Sequence, residues 1–215
     1  MPTSIVLAAC AAVFLEGCGA MLLLDPKGPI GHEERFLILT AFGLMLIVVV
    51  PVFVLAYLFS KKYRASQPTG EYRPKWSYSV PLDIVVWGIP IAIVICLGYL
   101  TWTKTHQLDP YKPLDTVKPI NIQAVSMDWK WLFIYPDHDL AVINQLVFPA
   151  KTPLSFKITS DTVMTSFFIP QLGSQMYAMA GMQTRLHLMA DEPGSYIGHN
   201  QQFSGVGYSD MDFTA

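Results

Sequence analysis

The sequence predicts two fold classes in one chain: a hairpin of two membrane-spanning helices, then an all-β domain built as an antiparallel sandwich. Apolar residues make up 52% of the chain and charged residues only 14%, whereas soluble domains carry about 25% charged residues. After residue 103 the pattern changes, and short runs of β-branched and aromatic residues alternate with turn residues. The first observation indicates membrane segments, and the second indicates several short strands.

The start of the chain is typical of an exported protein. Ser4–Leu15 is a twelve-residue apolar run, which is too short to span a bilayer but suits a signal-peptide core. It is followed by Glu16-Gly17-Cys18, a spacing similar to the bacterial lipoprotein cleavage box. We therefore predict a signal peptide at 1–17 and lipidation of Cys18, with an unmodified cysteine as the alternative. The proline- and glycine-rich segment 18–35 is predicted to be an extended linker.

Two long apolar segments follow, Phe36–Ser60 with 25 uncharged residues and Val80–Trp102. At about 1.5 Å per residue the first exceeds a hydrocarbon core of roughly 30 Å, so residues 36–102 are predicted to form a transmembrane hairpin. The connecting loop, 61–79, is basic, and its positive residues are Lys61, Lys62, Arg64, Arg73 and Lys75. Positively charged loops remain in the cytoplasm, which places both termini on the outer side.

The remaining residues, 103–215, are predicted to form the β-sandwich. The predicted strands are Ile120–Val125, Trp129–Tyr135, Ala141–Phe148, Leu154–Ile158, Thr165–Ile169, Thr184–Met189 and Gly194–Ile197. In the second of these, alternation places Trp129, Trp131, Phe133 and Tyr135 on one face, either as a core wall or as a docking surface. Glycines and aromatics in His199–Met211 indicate a loop between two strands.

Several classes of site are absent from the sequence. A net charge of −2 gives no reason to expect nucleic-acid binding. All three cysteines precede residue 100, so the C-terminal half holds neither a disulfide nor a thiolate metal site. There is no Gly-x-Ser-x-Gly, no phosphate-binding glycine loop and no His-Glu-x-x-His. The five histidines lie too far apart to share a short ligand spacing; they are His32, His106, His138, His187 and His199.

Two features carry both a functional and a structural interpretation. Met176, Met179 and Met182 recur every three residues, and their thioethers could bind Cu(I) in a membrane-tethered copper chaperone or sensor. Flexible apolar packing against a partner surface is the structural interpretation, and it is the one we prefer. Asp83 lies near the cytoplasmic end of the second helix, where a carboxylate is costly unless it faces water or a partner. It either admits protons or reaches the lipid headgroups.

Together these features resemble subunit II of the haem–copper respiratory oxidases, over nearly all of Cys18–Phe213. The motifs SMDWKW, SFFIPQLGSQMYAMAGMQTRLHL and Leu-Asp-Pro-Lys-Gly after Cys18 are similar to the quinol-oxidase branch of the cytochrome bo type. In that family a lipoprotein cysteine stands at the position of Cys18, and relatives usually carry a helical tail beyond the position of Ala215. The resemblance implies that the outer domain is a cupredoxin.

In the cytochrome c oxidases of this superfamily, the outer domain binds a binuclear copper-A centre through Cys-x-Glu-x-Cys-x3-His-x2-Met and an earlier His. When this pattern is anchored at Met211, five ligand positions are occupied by other residue types, namely Asn200, Gln202, Ser204, Tyr208 and, five residues before Pro170, Thr165. Only Met211 is retained. Neither Ser nor Asn replaces a bridging thiolate for copper, so the resemblance implies a loop without its metal. A cytochrome c oxidase with an unrecognised copper site is the third interpretation.

The resemblance also implies that this chain and its partner subunits have different tasks in the bacterial inner membrane. This chain would bind no cofactor, while subunit I would hold the haems, the active-site copper and the ubiquinol. Further expected partners are subunits III and IV and membrane lipid, with no nucleic acid and no cytochrome c. The complex would oxidise ubiquinol, reduce dioxygen to water and pump protons. A Glu stands in the family at the position of Asp83, four residues before Trp87, at the entrance of a proton channel.

Overall fold

The computed structural model describes residues 22–64, 77–114, 117–173 and 175–215. The predicted signal peptide with Cys18, and most of the loop 61–79, lie outside the described residues. Two compact units are present. Of the described residues, 22–35 together with those from Asp109 to Ala215 form one unit, and those from Phe36 to Leu108 form the other.

The helical unit contains most of α1 (Pro29–Lys62) and all of α2 (Val80–Gln107). Both helices are long and apolar enough to cross a membrane. Helix α1 begins seven residues before the predicted start, because Pro29 has the fixed φ and missing N–H that suit a first helical position. Helix α2 continues past Trp102 to Gln107, and the Thr103 hydroxyl donates to the Tyr99 and Leu100 carbonyls.

The β unit is a two-sheet sandwich, which confirms the predicted fold class. One sheet has the strand order β3-β2-β1-β4-β7, and the other has the order β6-β5-β8-β9. The strands are β1 (Ile120–Met127), β2 (Lys130–Tyr135), β3 (Leu140–Ile143), β4 (Leu154–Ser160), β5 (Thr165–Phe168), β6 (Gln175–Ala178), β7 (Thr184–Leu188), β8 (Ile197–Asn200) and β9 (Asp212–Thr214).

The observed strands depart from the prediction in their pairing and in their number. Strands β1 and β4 run parallel, with Ile120 opposite Leu154 and Ser126 opposite Ser160, while the other pairs are antiparallel. Strand β6 was not among the predicted runs, and β9 was predicted only as the strand that follows the His199–Met211 loop, because each has only three or four residues. Short strands at sheet edges carry the weakest sequence signal.

Aromatic side chains fill the space between the sheets. Trp131 and Phe133 from β2 are fully buried and contact Phe167 of β5 and Phe213 of β9. The rings of Phe167 and Phe213 stack with centroids 5.1 Å apart. The indole N–H of Trp131 has no hydrogen-bond partner among the described residues, and its ring meets the Phe167 ring edge-on at 5.4 Å. Rings in this arrangement contribute beyond their buried area.

The predicted extended linker is corrected over residues 22–35. Residues 22–31, which we call the strap, pack against the β-sandwich instead of lying free. The Lys27 N–H donates to the Gln171 carbonyl at 2.7 Å, and the Lys27 carbonyl accepts from Asp191 N–H at 2.8 Å. The strap therefore joins the β5–β6 loop to the β7–β8 loop, so it connects both sheets. We call this end of the sandwich the strap end.

Glycines allow the strap to approach the sandwich closely. A Cβ atom at Gly28 would collide with the Met189 carbonyl oxygen, and one at Gly31 would lie 3.0 Å from the Gln171 carbonyl oxygen. On the other side, Gly173 has φ +101°, and its Cβ would lie 2.8 Å from Ile30 Cγ2. Only glycine combines this backbone conformation with this contact. The sequence pattern predicted an extended linker from Gly28 and Gly31, because the residues that they pack against lie far along the chain.

Candidate functional site

Four loops meet at the end of the sandwich opposite the strap, which we call the loop end. They connect β1 to β2, β4 to β5, β6 to β7 and β8 to β9. Hydrogen bonds join neighbouring loops: Thr162 Oγ1 donates to Asp128 Oδ1 at 3.0 Å, and Thr159 Oγ1 donates to the Met182 carbonyl at 2.7 Å. The β8–β9 loop, residues 201–211, contains most of the predicted ligand positions.

Asn200, at the end of β8, is the centre of this loop. Its side chain is 5% exposed, and it lies opposite Phe167 in the sheet register. Its Oδ1 accepts from Ser166 N–H at 2.9 Å and from Gln202 N–H at 3.0 Å. Its Nδ2 lies within donor distance of the Gln202 carbonyl at 2.9 Å, Ser204 Oγ at 3.2 Å and Met211 Sδ at 3.4 Å. One amide thus contacts four other residues, all from β5 or the loop.

The structure brings three of the six predicted positions into direct side-chain contact, namely Asn200, Ser204 and Met211. Gln202 joins them through its backbone. Thr165 lies on the neighbouring strand β5, buried, and its hydroxyl donates to Ser126 Oγ at 2.6 Å. Tyr208 lies in a short 3-10 helix, and its ring contacts the Phe203 ring at 5.7 Å.

The donor set at these positions does not fit a binuclear copper centre. The side chains at the six positions carry hydroxyl oxygens, two amides and one thioether, whereas copper in such a loop requires thiolates and imidazoles. Within the described ranges, no three His, Cys, Asp or Glu side chains come close enough to bind a metal together. The polar atoms instead hydrogen-bond one another, as buried polar groups must when no ligand accepts their bonds.

Trp129 supports the same loop from the outside. The predicted four-residue aromatic face holds for Trp131, Phe133 and Tyr135, which are buried, but Trp129 precedes β2, has φ +52° and is 43% exposed. Its ring lies against Gly207, where a Cβ would collide with Trp129 Cγ. Gly205, with φ +114°, lies against the same ring. The sequence signal that could have shown this is the Gly-x-Gly pair in the loop.

The three methionines lie on different local structures. Met176 is in β6 opposite Phe167, whereas Met179 and Met182 belong to the turn that follows. Met182 N–H donates to the Met179 carbonyl at 3.3 Å, and Met182 is exposed. Neither a strand nor a turn points every third side chain in the same direction, so the regular spacing in the sequence does not place the three methionines on a common face.

Four of the histidines have a polar atom of another residue within contact distance of the ring. His187 Nδ1 lies 3.0 Å from the Pro110 carbonyl, which attaches the segment after α2 to β7. His199 Nδ1 lies 2.7 Å from Asp212 Oδ1 across the β8–β9 pair. The other two contacts are His32 with Asp191 at 3.5 Å and His106 with the Trp102 carbonyl at 2.8 Å.

Asp83 lies in the first turn of α2 and is exposed. Its N–H donates to the Ser79 carbonyl at 2.9 Å, and Pro81 stands within the same turn. A carboxylate in the first turn of a helix interacts favourably with the positive end of the helix dipole.

Comparisons with known proteins identify the relatives of this chain. Residues 137–215 match the family described as cytochrome C oxidase subunit II, periplasmic domain. The chain is 56% identical to the cytochrome bo(3) ubiquinol oxidase subunit 2 of Pseudomonas aeruginosa, over 95% of this chain and 62% of that protein. It therefore spans about three fifths of that relative's length.

Two further similarities involve a relative and a solved structure. The cytochrome bo(3) ubiquinol oxidase subunit 2 of Buchnera aphidicola subsp. Schizaphis graminum is 47% identical, over 95% of this chain and 70% of that protein. The periplasmic domain of subunit II of cytochrome oxidase (CoxB) of Bradyrhizobium japonicum aligns with 46% of this chain and 85% of its own, at 20% identity and a TM-score of 0.44. From the identity and coverage of the bo(3) relatives, the chain belongs to the ubiquinol oxidase subunit 2 family.

Proposed function

We propose that this chain is the subunit II of a proton-pumping ubiquinol oxidase and carries no redox centre itself. The complex oxidises ubiquinol in the membrane and reduces dioxygen to water. Subunit I holds the haems, the active-site copper and the quinol, and subunits III and IV complete the assembly. The similarity to relatives named ubiquinol oxidase subunit 2 supports this proposal.

The observation that carries the proposal is the hydrogen-bonded group at Asn200, Ser204 and Met211. These residues occupy the positions where a copper-A loop has two thiolates and a thioether. A quinol is dissolved in the bilayer and can reach subunit I directly, so the electron path needs no copper relay and no soluble cytochrome c. The loop then keeps its place in the fold without its former ligands.

The proposed placement in the inner membrane follows from the two helices. Lys61, Lys62 and Arg64 at the end of α1 belong on the cytoplasmic side, and the β-sandwich belongs on the periplasmic side. Cys18 carries a lipid anchor in this proposal, four residues before the start of the strap at Leu22. Intact-mass measurement of the purified subunit tests the anchor: a chain beginning at an unmodified residue would contradict it.

Counting metal in the purified complex tests the proposed function. We expect one copper for each pair of haems, because only subunit I provides copper ligands. Three coppers would contradict the proposal, since the outer domain would then hold a binuclear centre. Copper without any haem would replace the oxidase with the methionine-based chaperone.

Within this proposal, Asp83 assists the entry of protons into subunit I. Asp83 lies in the first turn of α2 and is exposed, and in the sequence it comes shortly after the basic loop of the hairpin. Both features support this role. An acid at the edge of a membrane segment exchanges protons with water more readily than one at its centre. The Asp side chain is one methylene shorter than the Glu of the family.

Replacing the acid tests the role of Asp83. Asp83→Asn removes the titratable group and nearly keeps its shape, so we expect lower turnover and fewer protons pumped per electron in reconstituted vesicles. Asp139→Asn, an exposed position in the β-sandwich, makes the same chemical change outside the helices and serves as the control. Equal turnover and pumping in the two variants would reject the role of Asp83 and leave the copper count as an independent test of the oxidase.

A further inference from the structure

We propose that the Asn200 amide nitrogen takes over the structural role of a bound cation at the loop end. Three electron-rich atoms converge on it: the Gln202 carbonyl oxygen, Ser204 Oγ and Met211 Sδ. Asn200 is therefore a positioning residue that holds the β8–β9 loop in one conformation. This inference concerns only the loop and does not depend on the proposed oxidase function.

The orientation of the amide is determined by its surroundings. Two backbone N–H groups, from Ser166 and Gln202, point at one end of the side chain and require an acceptor there. Carbonyl, hydroxyl and thioether atoms surround the other end and require a donor there. Exchanging the amide oxygen and nitrogen would place donors against donors and acceptors against acceptors, so only one orientation satisfies both ends.

The number of acceptors exceeds the number of hydrogens. An amide NH2 group has two hydrogens, and three acceptors lie within bonding distance of Nδ2. A metal ion would likewise be surrounded by more than two electron-rich atoms. Because Asn200 and Met211 are buried, water does not readily replace a lost bond. One acceptor can therefore be lost without leaving a hydrogen unpaired, but two cannot.

The loop held by Asn200 presents an apolar surface. Phe203 is 73% exposed and Val206 is 97% exposed, so neither side chain fixes the loop through burial. The loop contacts the sandwich on the inner side through Asn200, through Gln201 N–H, which donates to Ser166 Oγ at 2.8 Å, and through the buried Met211, and on the outer side through the Trp129 ring against Gly205 and Gly207. Loss of the amide donors is expected to loosen the inner attachment, while the Gln201–Ser166 hydrogen bond and the outer contact with Trp129 remain.

Amide hydrogen exchange in the full chain within its purified complex tests this role. Asn200→Asp keeps the oxygen that accepts from Ser166 and Gln202 but removes the donors, so exchange over residues 201–211 should accelerate by about tenfold or more at neutral pH. Gln201→Glu makes the same amide-to-acid change at the adjacent exposed residue and should leave exchange unchanged. Equal exchange in the two variants would overturn the proposal.

The pH dependence separates a lost donor from a general disturbance. In Asn200→Asp the introduced carboxyl is buried, which raises its pKa, and its protonated form donates one hydrogen bond. The difference from wild type should therefore shrink as the pH falls below that pKa and grow as the pH rises through it. A difference that stays constant between acid and alkaline pH would contradict a donor role.

Removing the acceptors provides a test that leaves Asn200 in place. Ser204→Ala and Met211→Leu each leave two acceptors for two hydrogens, so each alone should change exchange by less than about twofold. The double variant leaves one hydrogen unpaired and should accelerate exchange by more than the product of the two single effects. Effects that simply multiply would show that the three acceptors do not share one nitrogen, and this result would overturn the proposal even if Asn200→Asp fails to assemble.

Discussion

At the loop end of the β-sandwich, side chains make the close contacts, whereas at the strap end the backbone makes them. Asn200 connects the β8–β9 loop to β5 through its side-chain amide. The strap instead lies against Met189 and Leu172 with only glycine backbone between them. Side-chain contacts can be exchanged for other side chains while the backbone stays in place. Backbone contacts leave no such freedom, so residue types can be substituted at the loop end more easily than at the strap end.

Of the two ends, the strap end is expected to show the larger effect of an added methyl group. Gly28→Ala would push its Cβ into the Met189 carbonyl oxygen, and backbone on both sides cannot move aside without breaking the Lys27 hydrogen bonds. We expect a loss of about 1–3 kcal/mol in the free energy of unfolding of the β unit. Thermal unfolding of the purified protein measures it.

Gly194→Ala is the matched control for this prediction. The added methyl group would lie 3.5 Å from the Tyr196 ring, which is an ordinary contact, and Gly194 has no left-handed φ. Its unfolding should differ little from wild type. If the two alanine variants unfold at the same temperature, the strap is not held by backbone packing, and the comparison between the two ends fails.

A smaller effect is expected from the same substitution at the loop end. In Gly207→Ala the new methyl group meets the Trp129 ring, which is 43% exposed and can rotate outward. We expect a cost of about 1 kcal/mol and a red shift of tryptophan emission as Trp129 becomes more exposed. In a Trp129→Phe background the shift should disappear. Unchanged emission in Gly207→Ala with Trp129 present would show that the ring does not support the loop.

The smallest expected effect concerns the ion pairs of the strap. The Glu192 carboxylate, which accepts a hydrogen bond from Lys27 Nζ at 3.3 Å, and the charge of Asp25 raise the pKa of Lys27 above its usual 10.5. A raised folded-state pKa stabilises the fold below pH 10.5, and this contribution is lost as the pH rises through the folded value.

Lys27→Met tests that contribution. Because the pair is exposed and screened by solvent, the variant should unfold only slightly below wild type near neutral pH. The two proteins should become equally stable as the pH rises above 10.5. A gap that persists at strongly alkaline pH would mean that the Lys27 stem contributes by packing and its charge does not.

The sequence predicts the elements with the longest apolar runs and the clearest alternation. The two helices, and the burial of Trp131, Phe133 and Tyr135, follow from hydrophobic length and from the two-residue repeat of a strand. The loop between β8 and β9 was also predicted, since its glycines are local signals. Trp129 was placed on the wrong surface because a positive φ before β2 ends the alternation, and nothing in Asp-Trp-Lys indicates it.

The pairing of segments that lie far apart in the sequence was not predictable from the same patterns. The parallel contact of β1 with β4, and the docking of the strap on residues 171–173 and 189–192, join segments between about thirty and 165 residues apart. Periodicity reports which face of a segment is buried but not which segment covers it. The resemblance placed Asn200, Ser204 and Met211 as a set, while the hydrogen bonds from Asn200 to the other two are a property of the folded loop.

By itself, the sequence determined that this protein has two membrane-length helices, a β-sandwich and a loop without cysteine or a close set of histidines. Those properties depend on residue type and on local spacing, which do not require a folded partner segment. Only the tertiary structure decided that the residues before α1 pack on the sandwich and that Asn200 accepts a hydrogen bond from the neighbouring strand while it donates to the loop. Both depend on distances of a few ångströms between atoms far apart in the chain, and such distances exist only after the core between the two sheets has formed.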